Sequence, residues 1–170
     1  MDRGIEHLNN LTREEAEVEL LKCCGSAAWA GGLAARRPFR SADELLRAAD
    51  EVWLGLESDD WLEAFSHHPK IGESKAAGAQ SEKERAWSQQ EQSGAGEAAS
   101  RAELSELNRE YERKFGYIFI VCATGRSASE ILASLKSRLG NDDATEIKSA
   151  TEEQRQITRL RLRKLLDTLA

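Results

Sequence analysis

Ser41-Ala-Asp-Glu-Leu-Leu-Arg-Ala-Ala-Asp-Glu-Val-Trp-Leu-Gly-Leu56 is the stretch that sets the fold class. Its apolar residues Leu45, Leu46, Ala49, Val52, Trp53 and Leu56 fall on one face of a helix of 3.6 residues per turn. In a strand, where side chains alternate, the same residues would be divided between two faces. Ser41 with Glu44 three residues later is a helix-start signature. The segment is therefore an amphipathic helix with one face meant for a core.

The same signals recur in both directions. Upstream, Thr12-x-x-Glu15 opens a segment with Ala16, Leu20 and Cys23 at core spacing, and Gly25 offers it a stop. An alanine-rich helix follows from about Ser26 and ends at the turn Arg36-Arg37-Pro38-Phe39. Downstream, Ser58-Asp59-Asp60 caps a helix that runs to His68, and Ser81-x-x-Glu84 caps another that Gly94-Ala-Gly96 ends. Ser100-x-x-Glu103 begins a helix with Leu104, Leu107 and Tyr111 inward. Ser127-x-x-Glu130 begins one with Ile131, Leu132, Leu135 and Leu139, with Gly140 as its C′ residue, and Thr151-x-x-Gln154 opens the last. Between Glu73 and Gln80 the composition shifts to Ser, Ala, Gly and Lys, which reads as a mobile loop at 73–80. The expected fold class is all-α, a compact helical bundle forming a single domain over residues 1–170.

Tyr117-Ile-Phe-Ile-Val-Cys-Ala123 breaks the pattern. Aromatic and β-branched residues in a short run between Gly116 and Gly125 suggest a buried strand, yet no second convincing strand exists to pair with it. Buried backbone N–H and C=O groups need partners, and a ligand rich in amide-like groups is one source of them. A very apolar core helix is the competing reading.

With 170 residues, 40% of them hydrophobic and 32% charged, the chain is long enough for a sizeable core and has an ordinary soluble composition. A formal net charge of −6, with scattered Lys and Arg, argues against nucleic acid as a partner. Cys23, Cys24 and Cys122 cannot all pair internally, and the adjacent two make a poor disulfide, so reduced thiols are expected. No apolar run approaches the roughly 20 residues that span a bilayer. No charged-then-apolar signal opens the chain, and Thr-Leu-Ala170 is not a Ser-Lys-Leu address, so the expected location is cytoplasmic, away from any membrane.

Within the helix after Ser58, Trp61, Ala64, Phe65 and His68 follow the i, i+3, i+4, i+7 rule, whereas His67 does not. Pro69 disfavours the α region for the residue before it, which places the His68 imidazole at a fixed helix end beside the core. Two readings stand: a core-edge histidine with satisfied ring nitrogens, or a catalytic group. A second polar cluster, Ser88-Gln89-Gln90-Glu91-Gln92, sets Ser88, Glu91 and Gln92 on one helical face, where a solvated surface is the plain alternative. Arg161 stands four residues from both Ile157 and Leu165, on the stripe meant for burial, whereas Arg159 and Arg163 fall opposite. A buried guanidinium calls for an anion or carbonyl. An internal ion pair, for which Glu91 is a candidate, and a snorkelling side chain compete with a substrate contact.

His68-Pro69-x-Ile71-Gly72, Ser88-x-x-Glu91-Gln92 and Phe115-Gly-Tyr-Ile-Phe-Ile-Val-Cys-Ala123, in that order, resemble the 2-oxo-4-hydroxy-4-carboxy-5-ureidoimidazoline (OHCU) decarboxylase family. The motifs span about the middle third of the chain, and Ile157-Thr-x-Leu-Arg-Leu162 resembles the family too. The resemblance implies that family's helical bundle, with a short extended apolar segment near 117–123, and a final step from urate to (S)-allantoin. It implies His68 as proton donor and Glu91 as its catalytic partner. The substrate-binding set it implies is Pro69, Ser88, Gln89, Gln90, Glu91, Gln92 and the run Phe119, Ile120, Val121, Cys122 and Ala123 with backbone toward the ligand; Arg161 is added to it on its buried phase alone, with the internal ion pair still open. It implies no cofactor and no metal, because the substrate's own imine takes the electrons released with CO2, giving an enediol-like intermediate. The family is often homodimeric, and a homodimer is expected here.

Two other classes stay open on the residues alone. A metal hydrolase would use His67 and His68, although neighbours on a helix point about 100° apart. A helical interaction module needs no chemistry. The direction of His68, Glu91 and Gln92, into one pocket or outward, separates them from the enzyme.

Overall fold

The structure, a computed structural model, describes residues 2–68 and 98–170. Among the described residues it is all-helical, with no strand: α1 (Arg3–Asn10), α2 (Arg13–Leu21), α3 (Ala27–Ala34), α4 (Ala42–Leu54), α5 (Ser58–Ser66), α6 (Ala98–Phe115), α7 (Ala128–Leu139) and α8 (Asp143–Leu169). The expected helix after Ser81, its stop at Gly94-Ala-Gly96, the 73–80 loop, Pro69 and the cluster from Ser88 to Gln92 lie outside the described residues. Two compact units divide the chain, one of residues 1–64 and 155–170 and one of residues 65–154. The divisions fall inside α5 and inside α8.

In the first unit, α3 packs on α2 and on α4. Local capping starts the helices. The Thr12 hydroxyl accepts from the Glu15 N–H and the Glu15 carboxylate returns to the Thr12 N–H, while Ser26 and Ser41 accept from the N–H groups of Trp29 and Glu44. Glu44 does not complete the box, because its carboxylate takes the Arg40 N–H at 2.6 Å. The face expected of α4 is inward, with Leu45, Leu46, Ala49 and Trp53 buried and Val52 and Leu56 half-buried at its edge; Ile5, Leu8, Leu20, Trp29 and Leu33 are buried in the same unit. The indoles keep a polar partner: buried Trp29 donates from Nε1 to the Ala49 carbonyl at 3.2 Å, and half-buried Trp61 from Nε1 to that of Trp53 at 2.9 Å. Gly4 is required by packing, since a Cβ there would stand 2.3 Å from the Leu166 carbonyl oxygen. The start of α5 corrects the sequence reading. Glu57, not Ser58, is its cap, for the Glu57 carbonyl accepts from Asp60 and Trp61 and the Asp60 carboxylate accepts from the Glu57 N–H.

In the second unit, α6 and α7 pack together around Leu104, Tyr111, Phe119, Val121, Ala123, Ile131 and Leu135. Residues 118–123 are neither strand nor helix. Glycines at both ends turn the chain, Gly116 with φ 85° and Gly125 with φ 79°, in the left-handed region that a Cβ disfavours. Between them Phe119, Val121 and Ala123 point into the α6–α7 core with the two-residue period of extended chain.

Two expected caps prove to be interior residues. Ser100 lies inside α6, which already runs from Ala98. Thr151 lies inside α8 and donates its hydroxyl to the Ile147 carbonyl at 2.6 Å, the i−4 bond available to a helical threonine. Asp142 starts α8 instead: its carboxylate accepts from the Thr145 N–H at 2.7 Å and its carbonyl from Glu146 at 2.9 Å.

Candidate active site

His68 sits two residues past the end of α5, where its N–H donates to the Phe65 carbonyl at 3.2 Å and tightens the last turn. Burial follows helical phase at this helix end: Ala64 and Phe65 are buried, His68 is half-buried and His67 is exposed. Phe65 anchors the turn, its ring 5.3 Å from that of Tyr117 at the start of the extended segment. The His68 Nε2 atom is 2.5 Å from Oε1 of Gln154, a fully buried residue of α8. A carboxamide oxygen only accepts, so Nε2 carries the proton in this contact.

Among the described residues, the extended segment is held by side chains rather than by a neighbouring strand. Arg138 of α7 donates from Nη1 to the Ile120 carbonyl at 2.6 Å, and the Cys122 N–H donates to Oε1 of Glu153 at 3.1 Å. Glu153 also meets the Arg126 guanidinium at 3.2 Å. Arg138 is itself fixed, through Nε at 2.8 Å and Nη2 at 2.6 Å, to Oε2 of Glu146, which is completely buried. The Tyr111 hydroxyl donates to the same carboxylate and Asn141 Nδ2 to its other oxygen at 3.0 Å. The Arg138 guanidinium lies 4.4 Å from the Phe119 ring centre, so one side chain grips both the ring and the next carbonyl. Burial, then the bond to Glu146, pushes the Tyr111 phenol far up, so it stays a donor at any physiological pH.

The structure thus brings His68 against Gln154, and the buried run Phe119, Ile120, Val121, Cys122 and Ala123 belongs to the same unit. The Ile120 carbonyl and the Cys122 N–H, two of the groups expected to face a ligand, are engaged by Arg138 and Glu153. Arg161 belongs to the other unit. It is 8% exposed on a stripe with buried Ile157 and Leu165, as its phase requires, and Arg159 turns the other way to pair with Asp50 at 2.7 Å. The Cys24 thiol is pushed up to about 12 by burial, against the downward pull of a Thr158 hydrogen bond, a bond at the Ser26 backbone and the Arg161 charge. Pro69, Ser88, Gln89, Gln90, Glu91 and Gln92 lie outside the described residues.

Sequence reading missed Gln154, Arg138, Glu146 and Glu153. A signal existed for one: Arg138 follows Ile131 and Leu135 at i, i+4, i+7, the argument that singled out Arg161. Among the described residues no three or more His, Cys, Asp or Glu gather closely enough to hold a metal ion, and no helix is long and apolar enough to cross a membrane.

Comparison with known proteins agrees with the motifs. The model of the OHCU decarboxylase family matches residues 9–163. The chain is 39% identical over 163 residues to the uric acid degradation bifunctional protein TTL of Arabidopsis thaliana, covering 94% of this chain and 50% of that protein. It therefore spans about half of that relative's length. It is 30% identical over 173 residues to the 2-oxo-4-hydroxy-4-carboxy-5-ureidoimidazoline decarboxylase of Amia calva, covering 95% of this chain and 94% of that one. The crystal structure of an OHCU decarboxylase in the presence of (S)-allantoin superposes with a TM-score of 0.75 at 37% identity, covering 88% of this chain and 97% of that one.

Proposed function

The chain belongs to the OHCU decarboxylase family, and from that premise we propose that it converts OHCU to (S)-allantoin and CO2, the last step from urate to allantoin. The observation that carries the reading is the family match over residues 9–163, which runs through both compact units. We read residues 1–170 accordingly as one catalytic domain, acting in the cytoplasm as a homodimer.

The substrate supplies the electron sink. As the bond from C4 to the carboxylate breaks, its electron pair forms a C4–C5 double bond and the C5–N π pair moves onto the ring nitrogen, which takes a proton. C5 then receives a proton while the C4 hydroxyl gives its own up and becomes a carbonyl. The protein's part is to hold one conformer, shield the carboxylate from water and deliver the C5 proton to one face. His68 is the donor, its unperturbed range lying near neutral pH. Glu91 orients the ring or binds ureido N–H groups, and Pro69 is a rigid wall. Ser88, Gln89, Gln90 and Gln92 bind the polar edges of the substrate with the backbone of Phe119, Val121 and Ala123. Ile120 and Cys122 contribute through the shape that Arg138 and Glu153 impose on the segment. Arg161 completes the set as a carbonyl or carboxylate contact.

The test is stereochemical. Freshly made OHCU, followed by absorbance and circular dichroism within minutes, should lose CO2 faster with the protein and give an (S) excess, where free solution gives a racemate. Exhaustive chelation should leave that rate unchanged. His68→Gln should release CO2 slowly and lose the enantiomeric excess. An intact (S) excess in that variant would remove His68 from the role of C5 donor, and no acceleration by the parent protein would remove the decarboxylase reading altogether.

A further inference from the structure

We propose that Gln154 is a positioning residue that fixes the proton of His68 on Nε2 and so assigns proton delivery to Nδ1. The inference rests on the reading of His68 as the C5 donor. Its own observation is separate: a completely buried carboxamide with its oxygen 2.5 Å from the imidazole Nε2.

A glutamine reaches full burial only where its amide is satisfied, since an unpaired amide in an apolar setting is strongly unfavourable. Gln154 stands on the inward stripe of α8, with Ala150 and Thr151 buried on the turn before it, so its position is set by helix packing and not by the histidine. The imidazole is carried on the turn that follows α5. The oxygen thus acts as a fixed acceptor to which the ring is hung.

The chemistry follows from the partner being an amide and not a carboxylate. Nε2–H is present in imidazolium and in one neutral tautomer, so the bond to Gln154 survives when the ring changes charge. The nitrogen whose proton leaves and returns is then Nδ1. In the step itself the Nδ1–H bond breaks, its electron pair stays on the ring, and the proton is taken by the C4–C5 electron pair at C5. What remains is neutral Nε2–H imidazole, still held by Gln154, which takes the next proton from solvent. A carboxylate in the same place would favour the charged ring and resist release. A neutral acceptor fixes orientation without holding the proton back.

Two measurements on the full chain test this. In the unmodified protein, long-range proton–nitrogen NMR of the imidazole above its titration range should show Nε2 protonated and Nδ1 bare. The reverse tautomer overturns the proposal and needs no variant. Gln154→Met keeps length and removes the oxygen acceptor; its ring should become a mixture of tautomers, and kcat should fall on the order of tenfold, equivalent to about 1.4 kcal/mol, with KM moving less than about twofold. Gln154→Glu, which restores an oxygen at the same reach, should return the proton to Nε2. If Gln154→Met leaves tautomer and kcat unchanged while His68→Gln is inactive, Gln154 has no positioning role and the donor reading stands. If His68→Gln keeps full rate and enantiomeric excess, it is the donor reading that fails.

Discussion

Arg138→Met is the perturbation whose outcome the second unit defines most sharply. The guanidinium makes three hydrogen bonds, two to Oε2 of Glu146 and one to the Ile120 carbonyl, and Glu146 is shut off from solvent. Methionine fills similar volume, so the loss is electrostatic and not a cavity. It leaves a buried carboxylate without its counter-charge and a buried carbonyl without its donor. Breaking such a pair from one side costs about 3–5 kcal/mol, a large part of the roughly 5–15 kcal/mol that holds a domain folded. At about 2–4 °C per kcal/mol for a chain of this size, Tm should fall by about 6–20 °C. Urea titration followed by tryptophan fluorescence should show a lower midpoint at unchanged slope. Arg138→Met/Glu146→Leu should recover part of the loss, because the unpaired charge goes while Tyr111 and Asn141 lose their acceptor. Kinetics of the folded fraction should show KM raised about threefold or more, the extended segment having lost the bond that shapes it, worth about 0.5–1.5 kcal/mol. A midpoint within the equivalent of about 0.5 kcal/mol of the parent would refute the view that this pair holds the unit together.

Three further outcomes follow. His68→Ala should lower the catalysed rate on the order of 10²-fold or more, the range for a lost general acid, and exposed His67→Ala should be mild; equal losses in two folded variants would mean that helical phase misleads here. Cys24 titrates near 9 in an unfolded chain and is pushed up to about 12 in the fold, so its contribution is complete below about pH 9 and is lost as pH rises toward 12. Equilibrium stability should therefore fall above pH 9, and Cys24→Ala should flatten that decline; a parallel decline in the variant would show the thiol to be irrelevant, as would fast alkylation of native Cys24 to its supposed burial. Arg161→Leu keeps apolar volume, so a substrate contact predicts lost activity in a folded protein, whereas a purely structural ion pair predicts altered stability with intact kinetics.

What could be read from the sequence was what neighbours in sequence decide. Thr12 with Glu15 and Ser127 with Glu130 form reciprocal boxes because both partners lie within one turn. The same pattern misled at Thr151, because a Thr-x-x-Gln spacing also occurs inside a helix and says nothing about backbone angles. Asp142, three residues before Thr145, was the better signal. Helical phase sorted His68 from His67 and Arg161 from Arg159, since burial periodicity is a property of one element. It could not supply partners. The carboxamide opposite His68 is 86 residues away in the chain, and the side chains that replace a strand partner, a donor for the Ile120 carbonyl and an acceptor for the Cys122 N–H, lie 18 and 31 residues away. The extended segment was thus visible as an exception while its solution was not.

The buried polar residues of the second unit follow from that exception. A strand partner would have supplied residues 118–123 with N–H and C=O groups at regular spacing; helices present none from their sides, since their backbone is internally bonded. An extended run among helices has to be satisfied by side chains that reach across, and those side chains must be charged or amide-bearing to do so. Burying Arg138 for the Ile120 carbonyl then demands a counter-charge, which is Glu146; Tyr111 donates to the same oxygen as the guanidinium and Asn141 to the other. An apolar pair of equal volume in place of Arg138 and Glu146 would avoid the desolvation of two charges, yet it would leave the Ile120 carbonyl without this donor and Tyr111 and Asn141 without this acceptor. The buried charges thus serve the extended segment, since the guanidinium that satisfies its Ile120 carbonyl is the one that Glu146 holds in place.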